Sequence, residues 1–174
     1  MNITTPHPYQ SNPWSWLVVG RPVAFYVGKP GCTAATGVCS EVLALGNPLL
    51  WWFATATLPY LLWRWAALRD GRAGAALCGV AAGILPWMHY AQRTIFSFYA
   101  VAFVPFMILG ATAALGAILG RADASAARRA SGAVVSGTVV VAVAVVFDYF
   151  YPILSGQTIS YADWLRHMWL PSWI

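Results

Sequence analysis

Arg93 is the residue in this chain with the clearest reason to do chemistry. It is the lone charge in LPWMHYAQRTIFSFYAVAFVPF, where it separates two apolar runs. A cation in that position costs free energy unless an anion or a wet cavity meets it. An anionic lipid head group is a natural partner. A helix beginning just after Arg93 would add free N–H groups and a positive dipole end to the attraction for phosphate. His89, Tyr90, Gln92 and Thr94 offer hydrogen bonds to the same phosphate or to a sugar, while Phe96 and Tyr99 offer an apolar slot for a lipid tail. The plainer alternative is an interfacial arginine that snorkels to bulk phospholipid.

Other polar residues are weaker candidates. In the N-terminal segment, His7, Tyr9, Ser11, Trp14 and Trp16 supply hydrogen bonds and flat faces suited to a sugar or lipid head group, although aromatics there equally suit interfacial anchoring. Asp148, in FDYFYP, is a carboxylate at the end of an apolar run, and a structural ion pair with an arginine is the expected way to hold it. His7, His89 and His167 lie on three separate segments, a spacing that points to packing and hydrogen bonding rather than to a metal site. The glycine-rich phosphate loops, HExxH, CxxC and GxSxG are all missing. No metal and no cofactor are expected.

These residues sit in a chain that needs lipid. Of 174 residues 60% are hydrophobic and only 9% are charged, against roughly 25% charged in a soluble domain. Apolar runs predict membrane helices over about 48–68, 73–90, 94–119 and 132–154, with an extramembrane segment 1–46 before them and a Trp-rich interfacial helix in 156–174. The fold class expected is therefore an all-α membrane protein with about four transmembrane helices, the helical domain covering 47–155. Six of the ten basic residues, Arg64, Arg69, Arg72, Arg121, Arg128 and Arg129, flank these runs in two patches. That pattern reads as topology rather than as a nucleic-acid surface, and it places both patches in the cytoplasm and both chain ends outside. The turn carrying Arg93 then faces outward. Cys32 and Cys39 are the one pair placed for a disulfide, with their bonding open, whereas Cys78 lies within an apolar run. MNITTPHPYQSNPW has neither the basic nor the apolar part of a signal peptide, so another segment is expected to begin insertion.

HPYQSNPWSWLVVGRPVAFY at 7–26, CSEVLALGNPLLWW at 39–52, LPWMHYAQRTIFSFYAVAFVPF at 85–106 and YPILSGQTISYADWLRHMWLPSWI at 151–174 together resemble the C-terminal four-helix region of the protein O-mannosyltransferases, the actinobacterial branch above all. The resemblance implies a plasma-membrane enzyme of the GT-C architecture. Such an enzyme takes mannose from a polyprenyl-phosphate carrier, its substrate, and attaches it to Ser or Thr hydroxyls of secreted acceptor proteins. It also implies that this region helps form the lipid-donor pocket, that Arg93 matches an arginine suited to the carrier phosphate with Gln92 beside it, and that His7, Tyr9, Ser11 and Trp14 match the motif opening the region. In the family the acidic Asp-Glu pair that activates the acceptor lies in a first outer loop, upstream of anything in this chain. No catalytic residue is therefore expected here. The chain is expected to be a fragment or split subunit, inactive without an N-terminal catalytic half. The rival reading is a non-catalytic membrane module that stabilises or regulates a partner glycosyltransferase. A small transporter or channel is a weaker third, because the helix over 132–154 is almost free of polar residues before Asp148.

Overall fold

Asn47 and Pro48 start the first long helix. In the computed structural model, which describes residues 5–174, the Asn47 side chain accepts the Leu50 N–H at 3.0 Å and Pro48 occupies the first turn, where no N–H is needed. Helix α2 (Pro48–Leu68) follows a four-residue helix α1 (Pro13–Trp16) and ends at Arg69, which adopts a left-handed φ of 54°. Asp70 then caps α3 (Gly71–His89) by accepting the Arg72 N–H at 3.0 Å, and the same carboxylate pairs with Arg64 at 2.5 Å. After a 3₁₀ helix (Ser97–Ala102) come α4 (Val104–Leu119) and α5 (Ala126–Ser155), the latter capped by Ser125. Among the described residues α5 is the one helix both long and apolar enough to cross a membrane by length and composition, and α4 is a shorter apolar helix.

The helix expected from residue 94 begins only at Val104. Pro105 is the reason. It lacks an N–H, and its ring crowds the carbonyl four residues back, which disfavours a continuous helix through 101–105, and the preceding residues take 3₁₀ geometry instead. Helix α4 packs against α2, α3 and α5. Small residues allow the close approach: a Cβ on Gly83 would stand 2.6 Å from Phe103 Cβ and 3.2 Å from its backbone, and one on Gly79 would strike the Phe106 ring. Phe103 and Met107 lie fully buried between these elements.

The chain outside the helices is not all-α. Strand β1 (Val23–Val27) pairs antiparallel with β3 (Glu41–Ala44), and β2 (Val38–Cys39) pairs with β4 (Ile159–Ser160). The β-branched and aromatic VAFYV suits an extended, half-exposed strand. The β2–β4 ladder joins segments 120 residues apart, which no local pattern announces. Cys32 and Cys39 form a disulfide, and Glu41 lies close to both sulfurs. The tail forms a seven-residue helix α6 (Tyr161–His167) and a final 3₁₀ turn (Pro171–Trp173) that fold onto the N-terminal segment. Arg21 joins the two segments, donating to the carbonyls of Pro8 at 2.7 Å and Ser172 at 3.0 Å. Trp164 and Trp173 are buried in this layer instead of lying free along an interface.

Glu41 is buried there, accepting the Trp164 indole N–H at 2.7 Å. Burial pushes its carboxyl above the usual glutamate range, and the indole hydrogen bond offsets this only in part. The folded carboxyl thus holds its proton more tightly than the unfolded one. Its contribution to stability is complete below the ordinary value of about 4.3 and is lost as pH rises through the raised value. Tryptophan-fluorescence melting in detergent should show Tm of the wild type falling over that rise, while Glu41→Gln, which keeps an acceptor for Trp164, loses this component of the slope and melts higher at alkaline pH. A second measurement concerns packing. Gly83→Ala should destabilise the fold by about 1–3 kcal/mol, because the backbone of Phe103 cannot swing away from an added methyl group.

Candidate functional site

Helix α3 ends at His89, and the chain turns tightly, with the Arg93 N–H donating to the Tyr90 carbonyl at 2.9 Å. Arg93 is half-buried. Its guanidinium carbon sits 5.6 Å from the centre of the Tyr90 ring, within cation–π range, and it has no carboxylate partner among the described residues. Tyr90 in turn meets His89 edge-on at 5.1 Å, and His89, Tyr90 and Gln92 are exposed around the turn. No helix N-terminus assists Arg93, contrary to the sequence-based expectation, because α4 begins eleven residues later. Arg93 lies instead beyond the carbonyl end of α3, where the helix dipole favours a cation. An anion at this place meets the guanidinium itself.

The N-terminal segment runs beside the turn. Thr94 Oγ1 donates to the Thr5 carbonyl at 2.6 Å, the Ser11 N–H donates to the Ile95 carbonyl at 3.0 Å, and the His7 ring packs edge-on against Phe96 at 5.2 Å. These contacts bring His7 and Tyr9, whose rings are 5.7 Å apart, to the strand leaving Arg93. Ser11 faces the other way: it is buried, and its Oγ accepts the Trp16 indole N–H at 2.8 Å. Trp14 is 67% exposed on α1, outside the contacts that tie 5–11 to the turn.

Behind the turn stands an aromatic wall whose composition the sequence reading missed in part. Trp16, 1% exposed, meets Trp87 at 5.9 Å and Tyr99 at 6.2 Å, and Trp87 stacks on Tyr99 at 4.2 Å. Trp87 was not among the candidates, although it precedes His89 by two residues in the same segment. The apolar slot also differs. A cavity of about 320 Å³ is lined by Trp16, Trp51, Ser97 and Phe98 among others, whereas Phe96 and Tyr99 pack on His7 and Trp87 beside it. Ser97 Oγ is buried and has no hydrogen-bond partner among the described residues. Asp148 lies on an open face of α5 and forms no ion pair among the described residues. Cys32, Cys39 and Glu41 are the grouping of metal-ligating types among the described residues, but the disulfide leaves no thiolate to bind an ion.

The model of the family described as the C-terminal four TMM region of protein-O-mannosyltransferase matches residues 1–115, a stretch that includes both the His7–Trp14 segment and the turn at Arg93. The chain belongs to the protein O-mannosyltransferase family. Relatives named polyprenol-phosphate-mannose–protein mannosyltransferase agree with the actinobacterial resemblance. One from Mycobacterium tuberculosis is 38% identical over 170 residues, covering 96% of this chain and 32% of the relative, and one from Corynebacterium glutamicum is 33% identical over 168 residues, with the same shares. The chain thus spans about a third of the length of these mannosyltransferases. A solved S. cerevisiae protein O-mannosyltransferase Pmt1–Pmt2 complex, bound to the sugar donor, superposes with a TM-score of 0.77 at 25% identity, over 98% of this chain and 24% of that one.

Within this O-mannosyltransferase region Ser11 holds the buried Trp16 indole. Ser11→Ala would leave the buried indole N–H without its acceptor and should cost about 1–3 kcal/mol, read as a lower melting temperature, whereas Arg93→Ala, with no protein acceptor to lose, should melt close to the wild type.

Proposed function

We propose that this chain is the C-terminal membrane region of an enzyme that transfers mannose from a polyprenyl-phosphate carrier to Ser or Thr hydroxyls of secreted proteins, and that it contributes the pocket for the lipid donor. The observation that carries the reading is the guanidinium of Arg93. It stands on a non-helical turn without a carboxylate partner among the described residues, backed by Tyr90 and held beside the 5–11 segment. The printed names of the actinobacterial relatives, which specify a polyprenol-phosphate-mannose donor, support the same substrate.

In this reading α2, α3, α4 and α5 span the plasma membrane, the arginine-rich ends face the cytoplasm, and the Arg93 turn and both chain ends face outward. Arg93 takes the donor phosphate. Gln92, His89 and Tyr90 hydrogen-bond phosphate or sugar, His7 and Tyr9 close the site from the N-terminal side, and Trp14 offers an exposed flat face to the sugar or the lipid surface. Ser11 positions the segment. The acceptor hydroxyl oxygen attacks the anomeric carbon as the bond to the phosphate oxygen breaks, and its proton passes to a carboxylate of the acidic pair outside this chain. Arg93 stabilises the charge that develops on the leaving phosphate. Neither step calls for a cofactor or a metal.

Removing one such charge-stabilising donor typically lowers turnover by about 10²–10³-fold. Arg93→Ala, introduced into the complete enzyme and assayed for mannosyl transfer in membranes, should lose activity on that scale, and Arg93→Lys should recover part of it. Unchanged turnover in Arg93→Ala would remove this residue from the site, and labelling of a cysteine placed at Ala91–Thr94 only from the cytosolic side would overturn the orientation.

A further inference from the structure

The other end of α3 carries a second cavity that the donor reading leaves unused. Nineteen helical residues, about 28 Å of rise, separate it from the Arg93 turn, close to the thickness of a bilayer core. This cavity, of about 560 Å³, is lined by Arg64, Asp70, Arg72 and Arg121 with the small residues Gly116 and Gly120. Two of the arginines are already answered: Arg64 by Asp70 at 2.5 Å, and Arg121 by Asp123 at 3.0 Å. Arg72 has no carboxylate partner among the described residues, and Arg64 Nε is buried without an acceptor among them. Through Arg72 the cavity therefore presents an excess of positive charge.

It does not end at the polar rim. A second space of about 490 Å³, almost wholly apolar, continues along the α3–α4 face past Ala76, Phe106, Leu109 and Thr112, and Leu61, Arg72 and Ala113 line both. Arg72 thus lines both spaces, and a long side chain of this kind can lay its aliphatic stem along apolar surface while its charge stays in the polar part. A cationic mouth opening into an apolar groove at membrane depth matches the two parts of an anionic phospholipid.

We propose that this is a binding site for one anionic phospholipid, its head-group phosphate on the Arg72 guanidinium, and one acyl chain in the groove between α3 and α4. The site lies at the membrane surface opposite the donor turn. It rests on the membrane placement proposed above but not on the role of Arg93. A charged head group is chosen over a packed protein helix because the groove ends in unpaired cationic donors, which an apolar helix face would leave buried and unsatisfied.

The test uses the full chain, exchanged into mild detergent and titrated with phosphatidylglycerol or phosphatidylcholine of identical acyl chains, with bound lipid counted by native mass spectrometry. One phosphatidylglycerol should bind at a concentration about tenfold lower than phosphatidylcholine, whose phosphate is the same but whose choline cation is repelled by the basic mouth. Arg72→Gln should erase that preference and Arg72→Lys retain it, while Ala76→Leu, which fills the groove, should weaken both lipids. Equal binding of the two lipids, a preference that survives Arg72→Gln, or an equal loss from Arg69→Gln outside the cavity would overturn the proposal. Melting temperatures of each variant identify any that fails to fold, and the Arg72→Lys result then decides. Mannosyl transfer by Arg93→Ala in the complete enzyme reads the donor site separately, so failure of the donor reading and failure of this one are separable.

Discussion

Four consecutive backbone carbonyls, Trp16 to Val19, each accept a hydrogen bond from a side chain. Trp51 donates to Trp16, Thr55 to Leu17, Trp52 to Val18 and Trp173 to Val19, so one irregular stretch is pinned to α2 and to the C-terminal tail together. Backbone groups outside helices and sheets need such partners when water is excluded. An indole suits the task because it delivers one N–H from a large, stiff apolar body. Val19 shows how firmly the stretch is held, since it keeps a left-handed φ of 56°, costly for a β-branched side chain, with its carbonyl under the Trp173 indole.

The site inherits its order from that anchorage. Trp16 sits at its centre: its carbonyl is held by Trp51, its indole by Ser11, and its ring forms the wall with Trp87 and Tyr99. Through Ser11 the wall fixes the strand that carries His7 and Tyr9 to the Arg93 turn. A guanidinium on a free loop would sample many geometries and lose entropy on binding. Here the turn is already closed by the Arg93–Tyr90 backbone bond, so less ordering remains to be done when an anion arrives.

The arginines divide by their partners. Arg64, Arg121 and Arg166 are each matched by a nearby aspartate, which spends their charge within the protein, while Arg93 and Arg72 are not so matched among the described residues and lie at opposite ends of α3. Helix α3, 19 residues long, thus carries at each end a cation with no carboxylate partner among the described residues.

The residue order by itself determined the features that depend on neighbours along the chain. The apolar run beginning at about Pro48 marked the start of α2, the arginine patches marked one end of the helix bundle, and the lone Arg93 marked the turn at the other. The apolar run over 94–119 suggested one helix, whereas α4 begins only at Val104, with Pro105 in its first turn. Only the tertiary structure decided what meets what. The β2–β4 ladder, the Glu41–Trp164 bond across 123 positions, the Trp173–Val19 bond across 154, and the exposure of Asp148 all follow from how distant segments fold together. Periodicity and capping encode which face of an element is apolar and where it stops. They carry no record of which indole reaches which carbonyl, because that pairing is selected by the packing of the whole chain.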